Sequence, residues 1–252
     1  MEPQHHESTK KEKDNKNSIS IPAAIISGAV IIALALIIAL GGGKRAAAPT
    51  TDTTPPSTTP TTPTSVPADV ATIRPDDHVR GDPSKAQVAI IEYSDSDCPF
   101  CERFHPVLQQ LFDDYKGKVV WVYRFFPLTS LHPNASTEAV ALQCVGDLGG
   151  NDAFNTYLDK IINITLNPDP KSNEELTTLA VAQGIDGNLF NKCIAGTAAS
   201  DVVKADADEA VKIGAQGTPF TILVNLKTGK QIIVPGAYSY DDVKKDIDSL
   251  LQ

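Results

Sequence analysis

Two cysteines three residues apart, Cys98 and Cys101, lie in the stretch EYSDSDCPFCERFHP (92–106), between an apolar run and a helical pattern. Such a pair can bind a metal, lock the chain, or exchange electrons with other thiols. A structural zinc site commonly draws its four ligands from two close pairs. Here one C-x-x-C stands with two isolated cysteines, Cys144 and Cys193. His105 could add a donor but reads equally as a surface residue, so no metal is expected. Exchange fits the pair better. Cys98 falls where the helix starts, and the free N–H groups and positive dipole end there favour a thiolate. Cys101 sits one turn on along the same face, within disulfide reach. Exchange needs such asymmetry: an exposed attacking sulfur and a sheltered one that resolves the mixed disulfide.

The elements that must hold this pair are legible on both sides of it. AQVAIIEYS (86–94) is a β-branched apolar run with strand character. From Cys98 to Tyr115, Phe100, Phe104, Val107, Leu108, Leu111 and Phe112 recur at helical spacing. Pro99 suits the first turn, Pro106 is expected to kink the helix, and Gly117 ends it. VVWVYRFFPL (119–128) reads as a second buried strand, which predicts a parallel strand–helix–strand unit. Helical patterns follow over 134–145, 152–162, 173–183, 187–195 and 198–213. PFTILVN (219–225), the turn LKTGK and QIIVP then form a hairpin, and an amphipathic helix covers 240–251. The order βαβ, helices, ββα predicts a mixed α/β sheet interrupted by a helical insertion.

With GTPF (217–220) placed before the third long strand, the chain resembles the DsbA-like branch of the thioredoxin superfamily. The likeness runs over nearly all of 75–252 and is carried by EYSDSDCPFC, VYRFFPL, the helical insertion and GAQGTPFTILVN. It implies a thioredoxin-like fold with a helical subdomain inserted at about 131–196. Cys98 and Cys101 become the catalytic pair. Pro219 becomes a cis-proline packed against their disulfide, and Thr218 offers backbone groups to an incoming peptide. Glu92, six residues before Cys98, matches a buried acid that accepts or relays the proton of Cys101; its place inside AIIEY, interrupting an apolar strand, suits that role, with an exposed strand-end carboxylate as the alternative. Cys144 and Cys193 fall on two insertion helices where several such proteins carry a second pair. A structural disulfide is the expectation there, with an electron relay as the alternative. In a chain-entropy account, closing a loop of about 50 residues stabilises by roughly 4 kcal/mol.

The sequence departs from the strongly oxidising members at Phe100, where they carry histidine. Pro99, Phe100 and Asp97 are the expected tuning residues. Asp95 and Asp97 are close enough in sequence to oppose a negative sulfur, although Asp97 could instead cap the helix. Cys98 is therefore expected to be less acidic, and the disulfide less oxidising, than in those relatives. His132, in LHPNAS, reads as a turn or cap residue.

The first third of the 252-residue chain is organised differently. Residues 1–18 form a polar tail, with four lysines balanced by four acids. Ile19 to Leu40 carries no charge over 22 residues, enough for a helix to cross a hydrocarbon core of about 30 Å. A transmembrane anchor is expected over 19–41, with a cleaved signal peptide as the rival. Four lysines before the span against Lys44 and Arg45 after it place the tail in the cytoplasm. Residues 42–68 read as a Pro/Thr-rich linker, and 46–67 alone hold nine Thr and six Pro. Extended at about 3.1 Å per residue, that stretch could reach on the order of 70 Å. The tail is neutral, Lys44 and Arg45 add two charges and Asp52 removes one. The chain's net −9 therefore puts −10 on the domain over 69–252, a balance unsuited to nucleic acid. All four cysteines lie beyond the span, as suits an oxidising compartment.

Together these features predict a single-pass membrane protein with an extracytoplasmic, monomeric thiol:disulfide oxidoreductase domain that oxidises reduced exported proteins. No bound cofactor is needed, because the dithiol carries the electrons. The resemblance implies reoxidation by a membrane quinone-linked partner of the DsbB or vitamin K epoxide reductase-like type. A reductase or isomerase on the same fold, and a non-catalytic chaperone or adaptor, are the alternatives.

Overall fold

In a computed structural model of the chain, residues 63–162 and 172–252 are described. The tail, the anchor and most of the linker lie outside them. Among the described residues no helix is long and apolar enough to cross a membrane.

The chain joins the core at Val66, two residues inside the segment read as linker. Its N–H and C=O are both bonded to the Gln231 side chain, at 2.9 and 3.2 Å. Next comes a strand absent from the sequence reading, β1 (His78–Arg80). It is followed by β2 (Val88–Ser94), α1 (Pro99–Asp114) and β3 (Val119–Phe125). β2 and β3 pair in parallel, with Glu92 opposite Tyr123, while β1 lies antiparallel on the outer edge of β3. α1 continues through Pro106 as one helix. Every residue of β2 and β3 is buried, and this explains their continuous apolar runs: both faces of the sheet are covered.

The insertion starts with α2 (Ala135–Ile161), which joins the two predicted helices across a break at Gly150, where φ is 73°. That backbone favours glycine. α3 (Asn173–Val181), α4 (Gly187–Ile194) and α5 (Ala198–Lys212) follow, and then β4 (Phe220–Asn225), β5 (Gln231–Val234) and α6 (Tyr240–Leu250). The sheet order is β1-β3-β2-β4-β5. Period-two alternation sends Val88, Ile90, Trp121 and Leu223 to one face, against α1 and α6. Ala89, Ile91, Tyr93 and Val122 turn to the other, against Ala210 of α5 and Val66, Val70 and Ala71. Tyr123 and Phe125, at the end of β3, extend into the core of the insertion.

β1 escapes the sequence reading because tertiary contacts hold it. His78 stacks on Phe154 at 3.9 Å and bonds Gln143 at 2.8 Å. Gly146 makes room for it, since a Cβ there would stand 2.1 Å from the His78 ring. The segment before β1 is fastened by Arg124, whose side chain is fully buried. It forks onto both oxygens of Asp77 at 2.9 Å and donates to the carbonyls of Val70 and Thr72 at 2.7 Å.

Candidate active site

β2 delivers Glu92 and Ser94 to the base of the site, and the turn 95–97 leads into α1. Cys98 is the N-cap residue of α1, with extended φ and ψ of −90° and 123°, and Pro99 occupies the first turn. No side chain caps this end. Asp97 is not the cap the sequence allowed for: its Oδ2 accepts from the Asn134 amide at 3.2 Å. The N–H of Cys98 is taken by the Asp95 carbonyl at 3.1 Å.

Opposite the helix start, the Thr218–Pro219 peptide is cis, as the resemblance implied. The Cys98 thiol donates to the Thr218 carbonyl at 3.6 Å. A cleft of about 270 Å³ continues from there, lined by Gln216, Thr218, Pro219 and Pro235 among others. Both Cys98 and Cys101 are free thiols, and Ile162, from the end of α2, packs with them. Cys144 and Cys193 form a disulfide between α2 and α4, with Cα atoms 5.8 Å apart.

The expected exposure of the attacking sulfur is not found. Cys98 is 2 % exposed and Cys101 0 %, because the Thr218 loop lies over the helix start. The asymmetry lies in charge instead. The Cys101 thiol donates to the Cys98 sulfur and, against the opposing effect of burial, lowers it to about 5. The Thr218 side chain and the amides of Cys101 and Phe100 add to this; the Thr218 hydroxyl has no hydrogen-bond partner while Cys98 is a thiol. Burial, Cys98 and the Glu92 charge together push Cys101 well above a free thiol. The thiolate therefore sits on the outer sulfur at neutral pH.

Glu92 is 1 % exposed. Burial raises it to about 7, against hydrogen bonds from Ser94 Oγ at 2.8 Å and Trp121 Nε1 at 3.0 Å. A carboxyl with this pKa can give and take a proton near neutrality. Phe100 is 54 % exposed at the surface, with the Arg103 guanidinium 4.6 Å over its ring.

Three contributors lie beyond the sequence reading. Trp121 reaches Glu92 from 29 residues away, and Ile162 meets the cysteines only through the fold. His132, read as a turn residue, bonds Asp95 Oδ2 through Nδ1 at 2.8 Å across 37 residues; no local spacing reports such a pairing. His105 is not a surface residue: it is buried, tilted against Trp121 and bonded to Asp159 at 2.8 Å. Among the described residues no cluster of three His, Cys, Asp or Glu side chains is placed to hold a metal ion.

Comparison with known proteins agrees with this geometry. The family model described as Thioredoxin matches residues 74–249. A Salinispora tropica protein named Na+/H+ antiporter NhaA 3 is 33 % identical over 149 residues. That match covers 59 % of this chain and only 22 % of the antiporter. A Rickettsia conorii protein carrying the name protein-disulfide oxidoreductase is 27 % identical over 176 residues, covering 67 % of this chain and 58 % of its own. Among solved structures, Pseudomonas aeruginosa DsbA2 aligns with a TM-score of 0.57 at 26 % identity, covering 71 % of this chain and 97 % of its own. The chain belongs to the thioredoxin family, with a DsbA-like thioredoxin fold.

Proposed function

We propose that the chain is a membrane-tethered, extracytoplasmic oxidase that introduces disulfides into exported proteins through Cys98 and Cys101. The observation that carries this reading is the placement of the two thiols: Cys98 starts α1 beside the cis Thr218–Pro219 peptide, where the Cys101 thiol and the first helical amides favour its thiolate. A stabilised thiolate favours the reduced dithiol and so makes the disulfide a stronger oxidant.

In the oxidising direction a substrate thiolate attacks Cys98 Sγ of the disulfide. The S–S bond breaks and Cys101 leaves as a thiolate, which Glu92 protonates. The substrate's second thiolate then attacks the substrate sulfur of the mixed disulfide and releases Cys98 as its stabilised thiolate. Two electrons have passed to the dithiol. A membrane quinone-linked partner of the DsbB or vitamin K epoxide reductase-like type takes them back. Pro219 and the Thr218 backbone hold the substrate strand in the cleft. The Cys144–Cys193 bond serves structure. Support for tethering comes from the 22-residue uncharged run and the Pro/Thr-rich spacer after it, and the matched relatives named as antiporters are compatible with it.

The test is a glutathione-buffered redox titration of the full chain, together with oxidation of a reduced dithiol peptide. An oxidase should have a potential above about −180 mV and should oxidise the peptide stoichiometrically, with Cys98→Ser inert. A potential near the −270 mV of thioredoxin would sink the oxidase reading in favour of a reductase.

A further inference from the structure

The turn before α1 and the loop between β3 and α2 are bound together through acidic side chains. The Asp95 side chain is fully buried. Its Oδ1 accepts from the Asp97 amide at 2.9 Å, and its Oδ2 accepts from the Leu128 amide and from His132 Nδ1, each at 2.8 Å. Asp97 in turn accepts from the Asn134 amide, two residues beyond His132. The carbonyl of the same Asp95 accepts the Cys98 N–H. One residue thus links the nucleophile's amide to an imidazole that is 16 % exposed.

Resting on the reading of Cys98 as the exchange nucleophile, we propose that His132 tunes Cys98 electrostatically: its imidazolium neutralises Asp95 and shields the Cys98 thiolate from that carboxylate. A carboxylate in the turn that carries Cys98 would by itself oppose ionisation of the thiol. Amide donors offset its field in part, whereas an imidazolium cancels a full charge. Phe100, between the cysteines, brings no charge, and the nearby Arg103 lies over its ring.

Asp95 contacts His132 directly, and Cys98 and Asp97 are the next charges that act on it. Burial works against its proton, but the hydrogen bond and charge of Asp95, with help from Cys98 and Asp97, hold it above an ordinary histidine. Interaction free energies are reciprocal, so the proton on His132 favours the Cys98 thiolate as much as the thiolate favours the proton. As pH rises through the raised His132 value, the proton leaves, Asp95 loses its counter-charge, and the disulfide becomes a weaker oxidant.

Thiolate absorbance titrations of the reduced full chain test this with His132→Gln and with His132→Gln/Asp95→Asn. The single variant should weaken Cys98 ionisation about tenfold, a shift of roughly one pKa unit. The double variant should recover most of that loss, because no carboxylate is left to shield. A merely structural histidine predicts no recovery, since Asp95→Asn removes a further interaction from the same turn. Unchanged Cys98 ionisation in His132→Gln, or no recovery in the double variant, would overturn the proposal. Should His132→Gln fail to fold, NMR titration of His132 in the unmodified chain decides: its pKa must be higher in the dithiol than in the disulfide form, and equal values refute the coupling. If the unmodified chain oxidises no dithiol peptide, the exchange reading fails; if it does so and these shifts are absent, only the role of His132 falls.

Discussion

At Cys98, position in a helix outweighs local charge. Asp95 and Asp97 suggest repulsion when only sequence is counted, yet both carboxylates are offset by hydrogen bonds from the Leu128 and Asn134 amides and His132. The sulfur meets the Cys101 thiol and the first amides of α1 instead. Glu92 has the opposite balance, since burial raises it to about 7 from an ordinary 4.5. A raised folded pKa contributes stability below the unfolded value, and that contribution is lost as pH climbs from about 4.5 through 7. Glu92→Gln removes the penalty of ionising a buried acid. The variant should therefore match the parent protein near pH 4 and exceed it by ~3 kcal/mol at pH 8 in denaturant titrations. It should also slow formation of the mixed disulfide, the step in which Glu92 protonates the departing Cys101. A stability difference independent of pH would contradict this account.

Among the elements, β1 and the segment before it show what a sequence pattern leaves out. Three residues carry no periodicity, and this strand exists because His78 fits over Gly146 and Arg124 bonds Asp77. Although burial opposes ionisation of Asp77, Arg124 holds its carboxyl below the usual range. That depressed pKa gives stability above the ordinary carboxylate pKa, which is lost as pH falls through the lower folded one. Arg124→Met leaves Asp77 with only the Arg74 amide and guanidinium, and breaking a buried pair costs up to about 3–5 kcal/mol. Urea unfolding should show this drop at pH 7 and a smaller one near pH 3, where Asp77 can protonate. An equal loss at both pH values would assign the effect to packing. The long elements were legible for a simple reason: β2, β3 and β4 are mostly apolar runs of six or seven residues, and α1 repeats its apolar residues at helical spacing.

For the whole molecule, the Cys144–Cys193 bond ties α2 to α4 across 49 residues. Replacing both by serine should lower stability by roughly 4 kcal/mol while leaving the rate of peptide oxidation at Cys98 unchanged. Lost turnover with intact stability would instead make the pair a relay. A family resemblance supplied the cis-proline position and the acid under the cysteines, whereas the sequence by itself determined the C-x-x-C at a helix start and the order of β2 to β5 along the chain. Each is written in contiguous residues, where spacing and residue type constrain local geometry. Tertiary structure alone decided which way Asp95 and Asp97 point, that Cys98 is covered by the Thr218 loop, and that His132 and Trp121 reach the site. Those contacts join residues 29 to 120 positions apart. Only the assembled sheet and the docked insertion bring such groups within hydrogen-bond range, so no local pattern records them.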